Sequence, residues 1–233
     1  MERLDKIIST TGKKSRREVK LLVKQGRILV DGVPAAAPEM KVDPAVSEIL
    51  LDGEDIGYRR FTYIMLHKPA GVLSAVEDKR QQTVLDLLPE ELQKRGLSPV
   101  GRLDKDTEGL LLLTNDGELT HKLLSPRHHV DKVYYARVEG TLEQADCDAF
   151  AAGMTLGDGL ECMPAGLEIL SPGEALVTLQ EGKFHQVKRM LAARGKPVTY
   201  LKRLSMGPLQ LDEILQPGQF RHLTEEELQS LPR

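Results

Sequence analysis

Four consecutive leucines, Leu110 to Leu113, set the strongest constraint on how this chain folds. Turn signals bracket the run, with Gly109 before it and Asn115-Asp116-Gly117 after it. A short unbroken apolar run between turn signals predicts a strand buried on both faces. Such a strand belongs at the centre of a sheet. Directly upstream runs a polar stretch, Gly101-Arg102-Leu103-Asp104-Lys105-Asp106-Thr107-Glu108-Gly109. Asp104 therefore sits on a loop feeding a central strand. Loops held by a rigid strand commonly carry chemistry. A turn aspartate satisfying backbone N–H groups is the competing reading.

Length and composition bound the rest. At 233 residues the chain has room for one or two domains, and with 40% hydrophobic and 29% charged residues it can bury a core. Its apolar runs are too short to span a bilayer, and Met1-Glu2-Arg3-Leu4-Asp5 carries no apolar signal region. Cys147 and Cys162 fit neither a disulfide framework nor a zinc cluster. These features predict a soluble, cytoplasmic protein with no membrane association and no metal site.

The formal charge of −3 and an aromatic content of 4% argue at first against a nucleic-acid partner. The distribution argues otherwise. Residues 1–30 hold nine bases against three acids, whereas residues 31–58 hold seven acids and one base. Residues 182–211 hold seven bases and no acid. A phosphate backbone responds to potential within a Debye length of about 10 Å, not to the distant total. Two basic surfaces are expected; a solvated charged face is the bland account of either one.

The first stretch organises as a small module. Leu4, Ile7 and Ile8 have helical spacing. Ser15 and Glu18 form a capping box for a second helix with Val19, Leu22 and Val23 inside and Lys20 and Lys24 outside. Gly26 stops that helix, Arg27 to Val30 predicts a strand, and Asp31-Gly32 a tight turn. Residues 55–60 are polar and lie between apolar strand-like runs, which places a domain boundary there and gives domains of 1–58 and 61–233.

In the second domain, Phe61 to Leu66 predicts a strand followed by a turn at Lys68-Pro69-Ala70-Gly71. Lys132 to Val138 predicts another strand, with Tyr134 and Tyr135 on opposite faces. The adjacent tyrosines are candidates for base stacking or for ordinary strand packing. Helices are predicted at 117–124, at 141–152 from a Thr141–Gln144 capping box, at 185–194, and after Thr224. Lys188 and Arg189 then lie early in a helix whose N-terminal N–H groups favour anions, so Lys188 can reach a carboxylate and Arg189 a phosphate. His185 alone is weak evidence for acid–base chemistry. The fold class is α+β, a small module followed by a domain with a mostly antiparallel central sheet.

Two resemblances cover essentially the whole chain. Arg3-Leu4-Asp5-Lys6, Ser15-Arg16-Arg17 and the stretch from Gly26 through Val30 to Gly32 resemble the S4 RNA-binding domain. That resemblance implies RNA binding through Lys13, Lys14, Arg16, Arg17, Lys20 and Lys24. The segment from Gly101-Arg102-Leu103-Asp104 through Thr107 and Gly109 to Thr114-Asn115 is similar to the signature of the pseudouridine synthases of the ribosomal small-subunit type. Lys132-Val133-Tyr134 and Gly182-Lys183-Phe184-His185-Gln186-Val187-Lys188-Arg189-Met190 follow in the order expected, and Lys68-Pro69-Ala70-Gly71 matches the opening turn. Large-subunit relatives typically have Asn-Arg where this chain has Phe184-His185; Ser125-Pro126-Arg127-His128-His129 also points to the small-subunit type. Lys188 stands where related families often have Arg, so the charge is kept but not the bidentate fork.

The second resemblance implies isomerisation of a uridine in small-subunit (16S) ribosomal RNA, or in a small-subunit assembly intermediate, by a monomer without cofactor. This agrees with a sequence that has no P-loop, dinucleotide fingerprint or metal-ligand cluster. It implies Asp104 as the catalytic carboxylate, attacking C1′ or removing a proton from C2′. It implies Lys188 as its ionic partner, Tyr134 as the ring that stacks on the extruded base, and Arg102 and Arg189 as substrate contacts. Extrusion costs a few kcal/mol, and stacking worth about 1–3 kcal/mol offsets much of it. Two alternatives are a synthase acting on large-subunit RNA and a non-catalytic S4-type ribosome-assembly factor. Phe184-His185 argues against the first, and the intact set of Asp104, Tyr134 and Lys188 against the second.

Overall fold

The computed structural model describes residues 1–232 apart from Ala45 and Arg59. It is α+β and divides into two compact units, one made of Met1–Thr62 with Leu88–Leu97, the other of Tyr63–Leu87 with the chain from Ser98 onward. Sequence punctuation gives no sign of the second segment of the first unit.

In the first unit, α1 (Leu4–Thr10) and α2 (Arg16–Lys24) bury Leu4, Ile7, Ile8, Val19, Leu22 and Val23 in one core. The capping box forms as expected: Ser15 Oγ accepts from the Glu18 N–H at 3.3 Å, and Glu18 Oε2 accepts from the Ser15 N–H at 2.7 Å. The strand Ile28–Val30 pairs with Val33–Pro34 across the Asp31-Gly32 turn, whose φ angles of 51° and 78° suit a tight hairpin, and with Ile49–Leu51 on its other side. A third helix, α3 (Glu90–Gln93), belongs to this unit. It approaches so closely that a Cβ on Gly12 would sit 2.2 Å from the Glu91 carbonyl oxygen.

The second unit is built on a nine-stranded sheet. Its main strands are β1 (Tyr63–Lys68), β2 (Glu108–Thr114), β3 (Lys132–Val138), β4 (Gly166–Ser171), β5 (Glu174–Leu179), β6 (Val198–Met206) and β7 (Phe220–His222). The order across the sheet is β4-β5-β3-β6-β2-β1-β7, with Ser98–Pro99 on β2 and Leu209–Gln210 on β6. Every pairing is antiparallel except β6 with β2. The leucine run is β2, and Leu110–Leu113 are all at most 1% exposed. Leu110 and Leu112 pack with Met65, Val100, Leu119 and Met206; Leu111 and Leu113 are buried on the opposite face. Burying each leucine contributes about 1.5–3 kcal/mol.

The helices of this unit are α4 (Gly117–Leu124), α5 (Gln144–Ala152), α6 (Gln186–Ala193) and α7 (Glu225–Ser230). Two expectations need correcting. The strand expected over Phe61–Leu66 is Tyr63–Lys68, because Phe220–His222 pairs it at Ile64–Leu66 and Gly109 faces Lys68 at its end. The helix expected from Thr141 starts at Gln144, and its cap is not the Thr141–Gln144 box. Asp146 instead accepts from the Glu143 N–H at 3.0 Å while its other oxygen pairs with Arg194 at 2.9 Å. The helix therefore starts three residues along the chain, at a Glu143–Asp146 box. Both cysteines are free thiols, and no helix among the described residues is long and apolar enough to cross a membrane.

Candidate active site

The site starts from how the loop before β2 is held. Lys68 ends β1 and is fully buried. Its ammonium donates to the carbonyls of Pro69, Lys105 and Thr107 at 2.9, 3.2 and 2.9 Å. The Gly71 N–H donates to the Lys105 carbonyl at 2.7 Å, and Ser74 Oγ bonds both the carbonyl and the N–H of Leu103. The opening turn thus clamps the loop carrying Asp104. Burial pushes the Lys68 pKa down to about 8, against the pull of Asp106, Asp104 and Glu108. Gly109 makes the close approach of β6 possible: at φ +109° a Cβ there would lie 2.2 Å from the Arg203 carbonyl oxygen.

The loop faces the start of α6. Lys188 Nζ lies 3.0 Å from Asp104 Oδ2 and 2.5 Å from Asp106 Oδ1. Burial lowers the Lys188 pKa, but its bonds to Asp106 and Asp104 outweigh that and hold it above the ordinary lysine value. The hydrogen bond from Lys188 in turn holds Asp106 below its ordinary value. His185 Nε2 lies 3.4 Å from Asp104 Oδ1. The turn before α6 is bonded to itself: Gln186 accepts from the Lys183 N–H at 3.0 Å and donates to Glu181 at 2.6 Å. Asp104, Arg102 and Tyr134 line one cleft with Thr107, His185 and Leu201. Tyr134 is buried at 8% exposure on β3, opposite Arg203, and the Thr107 hydroxyl is buried without a hydrogen-bond partner among the described residues.

The cleft has a volume of about 60 Å³. A larger hollow of about 360 Å³ lies by Tyr63, Asp116, Leu119 and Leu228. Its polar groups serve the fold: Asp116 caps α4 and accepts from Tyr63, and Lys122 pairs with Glu118. Chemistry therefore selects the smaller cleft.

The remaining candidates separate. Tyr135 lies on the other sheet face, bonded to Glu174 and edge-on to Tyr200, so the two tyrosines form no common platform. Arg189, expected to reach phosphate, is bonded to Asp158. It is one of several bases of the 182–211 stretch already engaged: Lys183 pairs with Glu181, Lys188 with Asp104, Arg194 with Asp146, and Arg203 is 2% exposed. Three of these acids, Asp104, Asp146 and Asp158, come from distant parts of the chain, so much of a basic run in sequence is neutralised in the fold. In the first unit, Lys13, Arg16, Arg17, Lys20 and Lys24 are exposed, Lys14 is half-buried, and none pairs with a carboxylate among the described residues. Sequence reasoning missed Asp106 and Lys68. The i, i+2 spacing of Asp104 and Asp106 on an extended loop was a usable signal for the first; nothing local marks Lys68 as buried.

Asp104, sharing Lys188 with Asp106 beside the recessed ring of Tyr134, is an arrangement suited to an RNA-modifying enzyme, and comparison with known proteins supplies the class. The RNA pseudouridylate synthase family matches residues 62–193, and the S4 domain matches residues 2–46. The chain belongs to that family: it is an RNA pseudouridine synthase, an isomerase, with an S4 RNA-binding domain. It is 49% identical over 233 residues to "Uncharacterized RNA pseudouridine synthase YtzG" of Bacillus subtilis (strain 168), covering 98% of each chain. It is 40% identical over 230 residues to "Ribosomal small subunit pseudouridine synthase A" of Vibrio cholerae, covering 98% of this chain and 99% of that one. A solved structure described as "Crystal structure of pseudouridylate synthase" aligns over 100% of both chains, with a TM-score of 0.70 and 34% identity.

Proposed function

We propose that this enzyme isomerises a uridine of small-subunit ribosomal RNA to pseudouridine, with Asp104 as the catalytic carboxylate. The observation that carries the chemistry is the Asp104–Lys188 ion pair at 3.0 Å in the cleft that also holds Tyr134. Small-subunit specificity draws support from Phe184-His185 and from full-length relatives named for that activity.

The reaction breaks the bond from C1′ to N1, turns the uracil while it is held, and joins C1′ to C5; the C5 proton leaves and N1 gains one. Asp104 serves it by attack at C1′ or by taking the C2′ proton, and either route needs the carboxylate ionised. Lys188 pairs with that carboxylate at 3.0 Å. Tyr134 offers its ring to a uracil that has left the RNA stack. Arg102, exposed at the cleft, holds the extruded nucleotide or its phosphate. Lys13, Lys14, Arg16, Arg17, Lys20 and Lys24 bind RNA backbone.

Asp104→Asn is expected to abolish tritium release from 5-tritiated uridine in small-subunit RNA while RNA binding persists; release at the wild-type rate would sink the assignment. Mapping pseudouridine in ribosomal RNA from a deletion strain tests the target. Loss of one pseudouridine from 16S RNA is expected, and loss from large-subunit RNA instead would overturn the small-subunit reading.

A further inference from the structure

One ring outside the cleft has no role in the chemistry above. Of the nine aromatic side chains, Phe184 alone is exposed, at 72%. Its place is fixed: it sits in the turn that Glu181, Lys183 and Gln186 bond across. One face of the ring is covered, because His185 stacks on it with centroids 3.8 Å apart and planes 18° apart. His185 adopts a left-handed φ of 51°, lines the cleft and reaches Asp104. The stack therefore runs from the reacting carboxylate out to solvent and ends on a bare aromatic face.

We propose that the outer face of Phe184 is a stacking platform for an unpaired RNA base neighbouring the uridine that enters the Asp104 cleft. This rests on the synthase reading of that cleft. Geometry selects the role. A wedge that replaces an extruded base inside a duplex needs both ring faces free, and His185 occupies one. A ring that holds the target itself must line the cleft, which Tyr134 does and Phe184 does not. A base paired within a helix has both faces stacked already, so a one-sided ring selects a base that is unpaired. Stacking of this kind is tolerant of base identity, so Phe184 reads local RNA structure, an open strand beside the target, more than sequence. Because His185 joins the platform to Asp104, a docked neighbour also fixes the depth at which the target sits.

The sequence contains no tryptophan, so Phe184→Trp installs a unique fluorophore at the platform. Titrated with small-subunit RNA transcript, its emission is expected to be quenched with the same midpoint as RNA retention on filters. Unchanged emission at saturating RNA would overturn the platform. In tritium-release kinetics on the same transcript, Phe184→Ala and Phe184→Leu are expected to lower kcat/KM about 5- to 150-fold, the span of about 1–3 kcal/mol of stacking, mainly through KM. Phe184→Tyr keeps the ring and is expected to stay within about threefold of wild type. Equal rates for the Leu and Tyr variants would mean apolar contact without stacking, and would overturn the proposal. The two readings fail separately: a wild-type enzyme that releases no tritium sinks the synthase target, whereas normal release with silent Trp emission sinks the platform alone.

Discussion

Lys68 shows how much a single side chain decides here. Its ammonium is the common donor to three carbonyls, two of them on the Asp104 loop. Leaving a buried carbonyl unpaired costs about 1–3 kcal/mol, partly offset in a neutral variant by removal of a buried charge. Lys68→Met keeps the stem and loses the donors. It is expected to lower single-turnover tritium release at least about tenfold with RNA affinity unchanged, and to lower the melting temperature by several degrees. Wild-type turnover would show that the Leu103–Ser74 bonds suffice to hold the loop. The pairing of Lys188 with both Asp104 and Asp106 carries a related lesson: residues 82 or more positions apart meet, and no spacing rule links them.

At the scale of elements, short-range rules succeeded where the cap is local. Ser15 with Glu18 forms the box expected of it, and the helix expected after Thr224 starts there on a box of Thr224 with Glu227. They failed at α5, where the box that forms is Glu143 with Asp146 and Asp146 is also held by the distant Arg194. The last helix shows how a cap is reinforced from β7. Arg221 binds Glu227 through two bonds of 2.7 Å and Asp212 at 2.6 Å, and holds both carboxyls below their ordinary values. Their contribution is therefore complete above the unfolded carboxylate range of about 4 and is lost as pH falls through the lower folded values. Protection of amides 225–230, taken against the intrinsic exchange rate at the same pH, is expected to fall below about pH 4. Glu227→Gln is expected to show at neutral pH much of the loss of protection that the wild type shows in acid. Protection that does not respond to acid would place the helix's stability in its apolar contacts alone.

For the whole molecule, the near-neutral total charge conceals one open basic face on the S4 domain. Changing Lys13, Lys14, Arg16 and Arg17 together to Ala is expected to weaken RNA binding and to flatten the plot of log affinity against log salt. The slope should fall by about 0.7 for each single-strand phosphate no longer neutralised. An unchanged slope would remove that face from the RNA surface. The second basic stretch makes the opposite point, because the fold brings Glu181, Asp104, Asp158 and Asp146 to its cations.

Sequence by itself determined the parts whose physics is local or statistical. The four leucines demanded a buried strand, local caps marked the starts of α2 and α7, and the motif residues named Asp104, Tyr134 and Lys188 as belonging together. Only the tertiary structure decided which charges are free, which face each tyrosine takes, and what holds the Asp104 loop. It also placed one bare ring beside the cleft. Ion pairing, burial and stacking act between groups close in space, and the chain brings them together from positions that no local pattern connects.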